Sequence, residues 1–285
     1  MSRLAARRSF LKTSAAALAA GMAGRHRWSF GADAQPSNYG GFVMGLQTYT
    51  FREFPAEQAL KFAHELGCGT VEMFDAHFPV TSSAEQIAAM KKSAAANGVK
   101  ILTHGVNPFT KDHEANRRWF EFAKAAGIRN LSADPTEDSF DSLDKLVAEY
   151  DVRIAIHNHG PGARYDKVAD TLNAIRGRHP NIGACADLGH YIRSAEDPVR
   201  AIQLFKGRLF GIHLKDFAEQ KRDAKGVILG QGHLDLAGVF RALKEVEFPS
   251  DACVALEYEE NPKNPLDDVK ACLAAAAAGA RKALG

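Results

Sequence analysis

From residue 42 onward the chain repeats one pattern eight times: a short apolar run, then a longer amphipathic stretch. The apolar runs occupy residues 42–47, 70–74, 100–104, 129–132, 153–157, 182–186, 209–213 and 253–257. The amphipathic stretches begin near Pro55, Ser83, Asp112, Ser139, Arg164, Ala195, Asp235 and Pro265. Ser, Asp and Pro suit a helix start because its first N–H groups need a capping oxygen or a residue without a donor. Several stretches stop at Gly67, Gly98 or Gly127, where a helix commonly closes in a left-handed turn. Apolar strands separated by amphipathic helices pair in parallel through crossovers. Eight such units imply an α/β fold of a single domain, a closed (β/α)8 TIM barrel. The alternative is an open doubly wound sheet; it usually has fewer units, and no Gly-x-Gly-x-x-Gly follows the first run.

The residues before this pattern read as an address. Arg7-Arg8-Ser9-Phe10-Leu11-Lys12 precedes a small-residue apolar stretch over residues 13–24, and Ala32-Asp33-Ala34 offers a cleavage site. This arrangement resembles a twin-arginine (Tat) export signal. The expected domains are therefore a cleaved leader, 1–34, and a barrel, 35–285. The Tat machinery would be a partner and the periplasm the destination. Tat carries folded proteins, which suits a chain that acquires a metal before export. The alternative is an ordinary basic, Ala-rich leader helix.

Charge and cysteine usage narrow the partners. The 285 residues carry 36 Lys and Arg against 34 Asp and Glu. Six of those basic residues (Arg3, Arg7, Arg8, Lys12, Arg25, Arg27) and one acid, Asp33, lie in the leader, so the remaining 251 residues are at −3. A nucleic-acid binder usually carries a basic excess, so no nucleic-acid partner is expected. No run reaches the roughly 20 apolar residues of a membrane span, so no stable span is expected after cleavage. Cys68, Cys185, Cys253 and Cys272 fall in apolar runs, strand entries or an Ala-rich helix, and are expected as buried free thiols. The stretch 214–234 has no clear periodicity, and a loop of that length in a compact domain usually serves function.

In a parallel barrel every strand ends on the same face, and here the strand ends are polar. Glu72, His104, His157-Asn158-His159, Asp187-Leu188-Gly189-His190, His213-Leu214-Lys215-Asp216 and Glu257 all stand there. Seven of eleven histidines (His77, His104, His157, His159, His190, His213, His233) fall at or just beyond that face. Alone, each has an ordinary explanation: a structural histidine, a helix cap, a solvated carboxylate. Together, four consecutive strand ends supply His157, Asp187, His213 and Glu257. Adjacent strands lie about 5 Å apart, so these side chains can converge on one ion. Mixed nitrogen and oxygen donors suit a divalent transition metal such as Mn²⁺, Co²⁺ or Zn²⁺ better than Ca²⁺.

The motifs Asp187-Leu188-Gly189-His190, His213-Leu214-Lys215-Asp216 and Leu256-Glu257-Tyr258 resemble, in order, those of the sugar isomerase/epimerase family with a xylose isomerase-like TIM barrel. The resemblance covers essentially residues 42–282. It implies one divalent metal, a ketose or keto-acid substrate and proton transfer at the carbon beside the carbonyl. It implies Asp187, His213 and Glu257 as ligands and His190 and Lys215 as substrate contacts. Glu72 would stand behind the ligands or against substrate. One departure matters. The family's fifth strand typically ends Glu-Asn-His, and that Glu is both ligand and acid/base. Here His157 can keep the ligand role as neutral imidazole, but a coordinated imidazole has no lone pair for a proton. Glu257 remains as one proton-moving carboxylate, with His159, His104 or Lys215 as the second group. His104 is also placed among the substrate contacts.

The expected function is a metal-dependent carbohydrate isomerase or epimerase that abstracts a proton alpha to a carbonyl. The alternative is a lyase or dehydratase performing beta-elimination on a keto sugar or 3-keto-glycoside, since a protonated histidine can assist a leaving group. A non-catalytic metal-dependent sugar-binding protein is a third class. Phosphodiester cleavage, found in related barrels, would need more metal ligands and a basic surface.

Overall fold

The computed structural model describes residues 39–285, so the twin-arginine motif and the proposed cleavage site lie outside the described residues. Eight strands close a parallel barrel: β1 (Met44–Gln47), β2 (Thr70–Met73), β3 (Lys100–Phe109), β4 (Asn130–Pro135), β5 (Arg153–His157), β6 (Ile182–Asp187), β7 (Leu209–Leu214) and, last in the chain, β10 (Val254–Leu256). Each pairs with its sequence neighbours, and β1 closes the ring by pairing Leu46 with both Leu256 and Val71. The helices are α1 (Ala56–Glu65), α2 (Ala84–Ala96), α3 (His113–Ala126), α4 (Phe140–Tyr150), α5 (Val168–Ile175), α6 (Leu188–Arg193), α7 (Pro198–Leu204), α8 (Leu236–Glu245) and α9 (Leu266–Leu284). No described helix is long and apolar enough to cross a membrane.

The expected stop and start signals act where they stand. Ser83 and Gln86 form a reciprocal capping box on α2, satisfying two free N–H groups at once. The Asp112 carboxylate accepts from Ala115 N, and Gly127 closes α3 at φ 76°. The core is a continuous shell between barrel and helices, holding Leu60, Phe120, Leu143, Ile202, Phe240 and Val269. The four cysteines are buried and free.

Three departures from the sequence reading bear on the site. First, β3 runs to Phe109 rather than stopping at His104, with its register against β4 shifting between His104 and Asn107. The strand approaches β4 so closely at Gly105 that a Cβ there would stand 2.6 Å from the Ser132 carbonyl oxygen. Second, two helices follow β6. Asp187 ends the strand and caps α6, whereas Asp197 and Pro198 start α7. Third, the stretch 214–234 contains a small antiparallel hairpin, β8 (Asp216–Phe217) with β9 (Gly226–Val227). The buried Asp216 carboxylate organises it by accepting from the backbone N–H groups of Phe217, Gly230, Gly232 and Leu234. These four bonds run from backbone to a side chain and not along a helix or sheet, so most of the stretch is ordered without a periodic sequence pattern.

The opposite end of the barrel is closed by charge. Asp251 takes Arg129 at 2.6 Å and Arg153 at 2.7 Å, and the Arg153 guanidinium also lies over the Phe210 ring. Removing one member of such a mostly buried cluster leaves like charges facing each other. Asp251→Ala is expected to lower the urea unfolding free energy by about 3 kcal/mol; an unchanged midpoint would show that this plug adds nothing.

Candidate metal centre

Parallel closure brings the ends of β5, β6, β7 and β10 around one point. His157 ends β5, Asp187 ends β6, His213 is the penultimate residue of β7, and Glu257 follows β10 directly. One donor atom from each lies within 4.8 Å of all the others, and all four residues are buried. His157 Nε2 is 2.9 Å from His213 Nδ1, which is 3.1 Å from Glu257 Oε2. Asp187 Oδ2 lies 3.6 Å from His157 Nε2 and 3.9 Å from His213 Nδ1.

The backbone fixes these side chains in part. Asn158 Nδ2 donates to the Asp187 carbonyl while Asp187 N donates to Asn158 Oδ1, which locks the tips of β5 and β6 together. Asp187 Oδ1 accepts from His190 N as the cap of α6. Its other oxygen, Oδ2, is fully buried and accepts no hydrogen bond. The Lys215 ammonium approaches it to 3.0 Å without hydrogen-bond alignment. Asp187 is thus both the cap a lone aspartate suggests and a donor turned into the cluster.

This donor set fits a divalent ion. Bonds of about 2.1 Å place neighbouring donors roughly 3.0–3.5 Å apart, near the observed edges. Two imidazole nitrogens facing each other at 2.9 Å can hold only one proton between them. Among the described residues, Lys215 and His213, whose acidic neighbours hold it well above the usual histidine range, supply the positive charge at the centre. Neutral imidazole with carboxylate matches Zn²⁺, Mn²⁺ or Co²⁺ chemistry.

Behind the cluster stands Glu72, whose Oε2 is 3.2 Å from His213 Nε2, an ion-pair distance off the hydrogen-bond line. Gln47 Nε2 and Ser132 Oγ donate to Oε1, and Thr103 Oγ1 donates to Oε2. With three donors and His213 around it, Glu72 is not among the residues lining the pocket. The expectation that it contacts substrate is therefore corrected: it orients and polarises His213 from beneath. Glu72, Cys185 and His213 form a second close group, but Glu72 is already occupied by these donors.

His104 is also corrected. Its Nδ1 bonds Asn107 Oδ1 and its Nε2 bonds the Phe78 carbonyl, in a wall of Phe78, Phe122 and Trp119. The ring has turned outward between barrel and helices, away from any substrate. His77, bonded to the Phe54 carbonyl, and the exposed His233 also lie outside the pocket. The remaining predicted residues gather. His157, His159, His190, Lys215 and Glu257 line one cavity of about 360 Å³. Gln47, Tyr49, Phe74 and Glu259 line it too, and the sequence reading did not select them. The strand-end rule applied to β1 would have found Gln47. Tyr49 needs the 3-10 turn Thr48–Phe51, which has no clear sequence signature.

Charges in the site are set by one another. Burial alone would push Lys215 down, but Asp187, Glu257 and Glu259 hold its ammonium well above the usual lysine range. Burial would raise Glu257 and Asp187; Lys215 and His213 hold Glu257 below the carboxylate range, and Lys215 does the same for Asp187. Burial pushes His159 down to about 4 and His190 to about 3, so both present neutral imidazoles at neutral pH.

Residues 60–276 match the family model described as xylose isomerase-like TIM barrel. A 3-oxo-isoapionate decarboxylase of Pectobacterium atrosepticum is 23% identical over 231 residues, 72% of this chain and 82% of that protein. An inosose dehydratase of Clostridium botulinum is 26% identical over 141 residues, 44% of this chain; the match spans about half that protein's length, 47%. Among solved structures, a Parabacteroides distasonis protein superposes with TM-score 0.64 at 28% identity, over 82% of this chain and 97% of that one. IolI, solved with a zinc atom, superposes at TM-score 0.68 and 17% identity, over 85% and 99%.

Two outcomes test the centre. Protein purified without chelator should carry about one divalent ion per chain, and Asp187→Ala should lose it. Glu72→Gln should keep that stoichiometry but weaken metal affinity about 10–100-fold, measured by competition with a chromophoric chelator; unaltered affinity would remove Glu72 from its role behind His213.

Proposed function

The chain belongs to the xylose isomerase-like TIM barrel family, and from that premise we propose that it is a metal-dependent lyase acting on a keto sugar or keto-glycoside. The observation that carries this reading is the make-up of the cluster: Glu257 follows β10, whereas the end of β5, with β6 and β7 between them in the ring, supplies His157 and His159 and no carboxylate. Epimerisation by two carboxylates needs a proton acceptor on each face of the substrate. Elimination needs only one group that takes the proton and gives it to the departing oxygen. The decarboxylase and dehydratase among the relatives point the same way, toward breaking a bond beside a ketone.

A divalent ion held by His157, Asp187, His213 and Glu257 supplies Lewis-acid polarisation of the ketone oxygen when bound; the zinc in IolI supports that choice of group. The protein's own residues do the rest. Glu257 makes its contacts with His213 and Lys215 through Oε2, which leaves Oε1 to take the proton from the carbon beside the carbonyl. The electron pair of that C–H bond forms the new C=C bond, and the C–O bond at the next carbon breaks. Lys215 holds the departing oxygen through a charge-assisted hydrogen bond, and the proton on Glu257 passes to it. The products are an unsaturated ketone and an alcohol or water. His159 and His190 bind hydroxyls as neutral partners, and the edge-to-face pair Tyr49 and Phe74 gives the sugar an apolar wall. On the twin-arginine motif we place this activity outside the cytoplasm, after export of the folded protein.

Incubation with a keto-glycoside in D₂O, followed by NMR, should show an unsaturated ketone and released alcohol. Deuterium incorporation without release would make the protein an isomerase or epimerase instead, with His159 as the second proton carrier. No exchange at all in metal-loaded protein would leave only sugar binding. Glu257→Gln should lower turnover by about 10²–10⁴-fold after correction for metal content.

A further inference from the structure

A second cavity, of about 320 Å³, adjoins the metal-type pocket, and the two share Lys215, Glu257 and Glu259. Each is near the lower end of the volumes that hold one small ligand. The hairpin of β8 and β9 borders the second cavity, and the four N–H groups gathered on Asp216 pin that segment in place. The cavity is therefore part of the fold's design around 214–234, the stretch that sequence alone marks as too long for a plain connection.

Its lining has a different chemistry from the metal pocket. Arg193 and Arg222 contribute guanidinium groups, and Asp223 and Glu260 contribute carboxylates. Arg193 stacks over the Phe217 ring and donates from Nε to the Arg222 carbonyl. Among the described residues, neither arginine forms a salt bridge; Arg193 Nη1 lies 3.4 Å from His190 Nδ1, and Arg222 is drawn electrostatically toward Asp166. A phosphate or carboxylate entering here would meet Asp223, Glu259 and Glu260 as well as the arginines. An apolar group would leave all of these charges dry, at a cost. A neutral group with several hydroxyls satisfies both signs, since hydroxyls accept from guanidinium and donate to carboxylate.

We propose that this cavity binds a second, uncharged sugar or polyol unit joined to the reacting keto sugar, so that the substrate is a two-unit glycoside whose linking oxygen lies at Lys215 and Glu257. This rests on the keto-sugar reading above. A molecule spanning both cavities has to pass the three residues they share, two of which, Glu257 and Lys215, are assigned to the proton and the departing oxygen. The unit in the second cavity is then the one released. Arg222 and Asp223 are specificity-determining groups for it, and both are exposed enough to substitute without touching the core.

The test compares two probes on the metal-loaded full chain: methyl 3-keto-glucoside, which lacks a second ring, and the same keto ring β-linked to glucose. The two-ring compound should show a KM about tenfold or more below that of the methyl compound, as expected for one or two added hydrogen bonds. Arg222→Ala and Asp223→Ala should each shrink that ratio. Equal KM values, or a ratio that neither substitution changes, would overturn the second cavity while turnover of the methyl compound left the keto-sugar reading standing. If metal-loaded protein neither consumed nor exchanged deuterium into either compound, both would fall.

Discussion

Closure of a parallel sheet is the constraint on which the rest of this protein depends. Once β1 pairs with both β2 and β10, all eight strands must point the same way and end on one face. Residues distant in sequence, His157, Asp187, His213 and Glu257, become neighbours because their strands do. No local contact could assemble them. The same closure makes the other rim a place where Arg129, Arg153 and Asp251 meet.

The site is a balance of buried charge. Glu72, Asp187 and Glu257 are removed from water, which each would resist alone. Lys215 and His213 sit among them and hold the carboxylates ionised; the carboxylates in turn hold the lysine protonated. A divalent ion at the same oxygens would meet a set of donors already aimed inward and supported from behind by Glu72. His159 and His190 lie a few ångströms further out and remain neutral because burial outweighs their acidic neighbours. One shell of the pocket is therefore charged and fixed, and the next is neutral and suited to hydroxyl groups.

The parts legible in sequence share a local signature. Periodicity exposed eight strand-helix units, and strand-end position brought out His157, Asp187, His213, Lys215 and Glu257. The failures are as informative. His104 ends the run expected of β3, yet the strand continues to Phe109 and its ring turns toward Phe78 and Trp119. Side chains alternate along a strand, and a one-residue register shift such as the one against β2 between Ile101 and Thr103, just before His104, moves a residue from one face to the other. The sequence leaves Glu72 either behind the ligands or against substrate, and only the stagger between strands sets its depth, behind His213. Tyr49, Phe74 and the hairpin in 214–234 depend on turns and on the Asp216 carboxylate, which act through space.

The sequence by itself determined the architecture and the residue types at the barrel's mouth, because strand and helix periods and strand-end positions are written along the chain. Tertiary structure decided which of those residues face one another. It turned His104 outward, set Glu72 behind His213, drew Lys215 between Asp187 and Glu257, and opened a second cavity beside the first. The physical reason is that convergence is a property of register, stagger and closure, and each of these is fixed only when strands far apart in sequence pair.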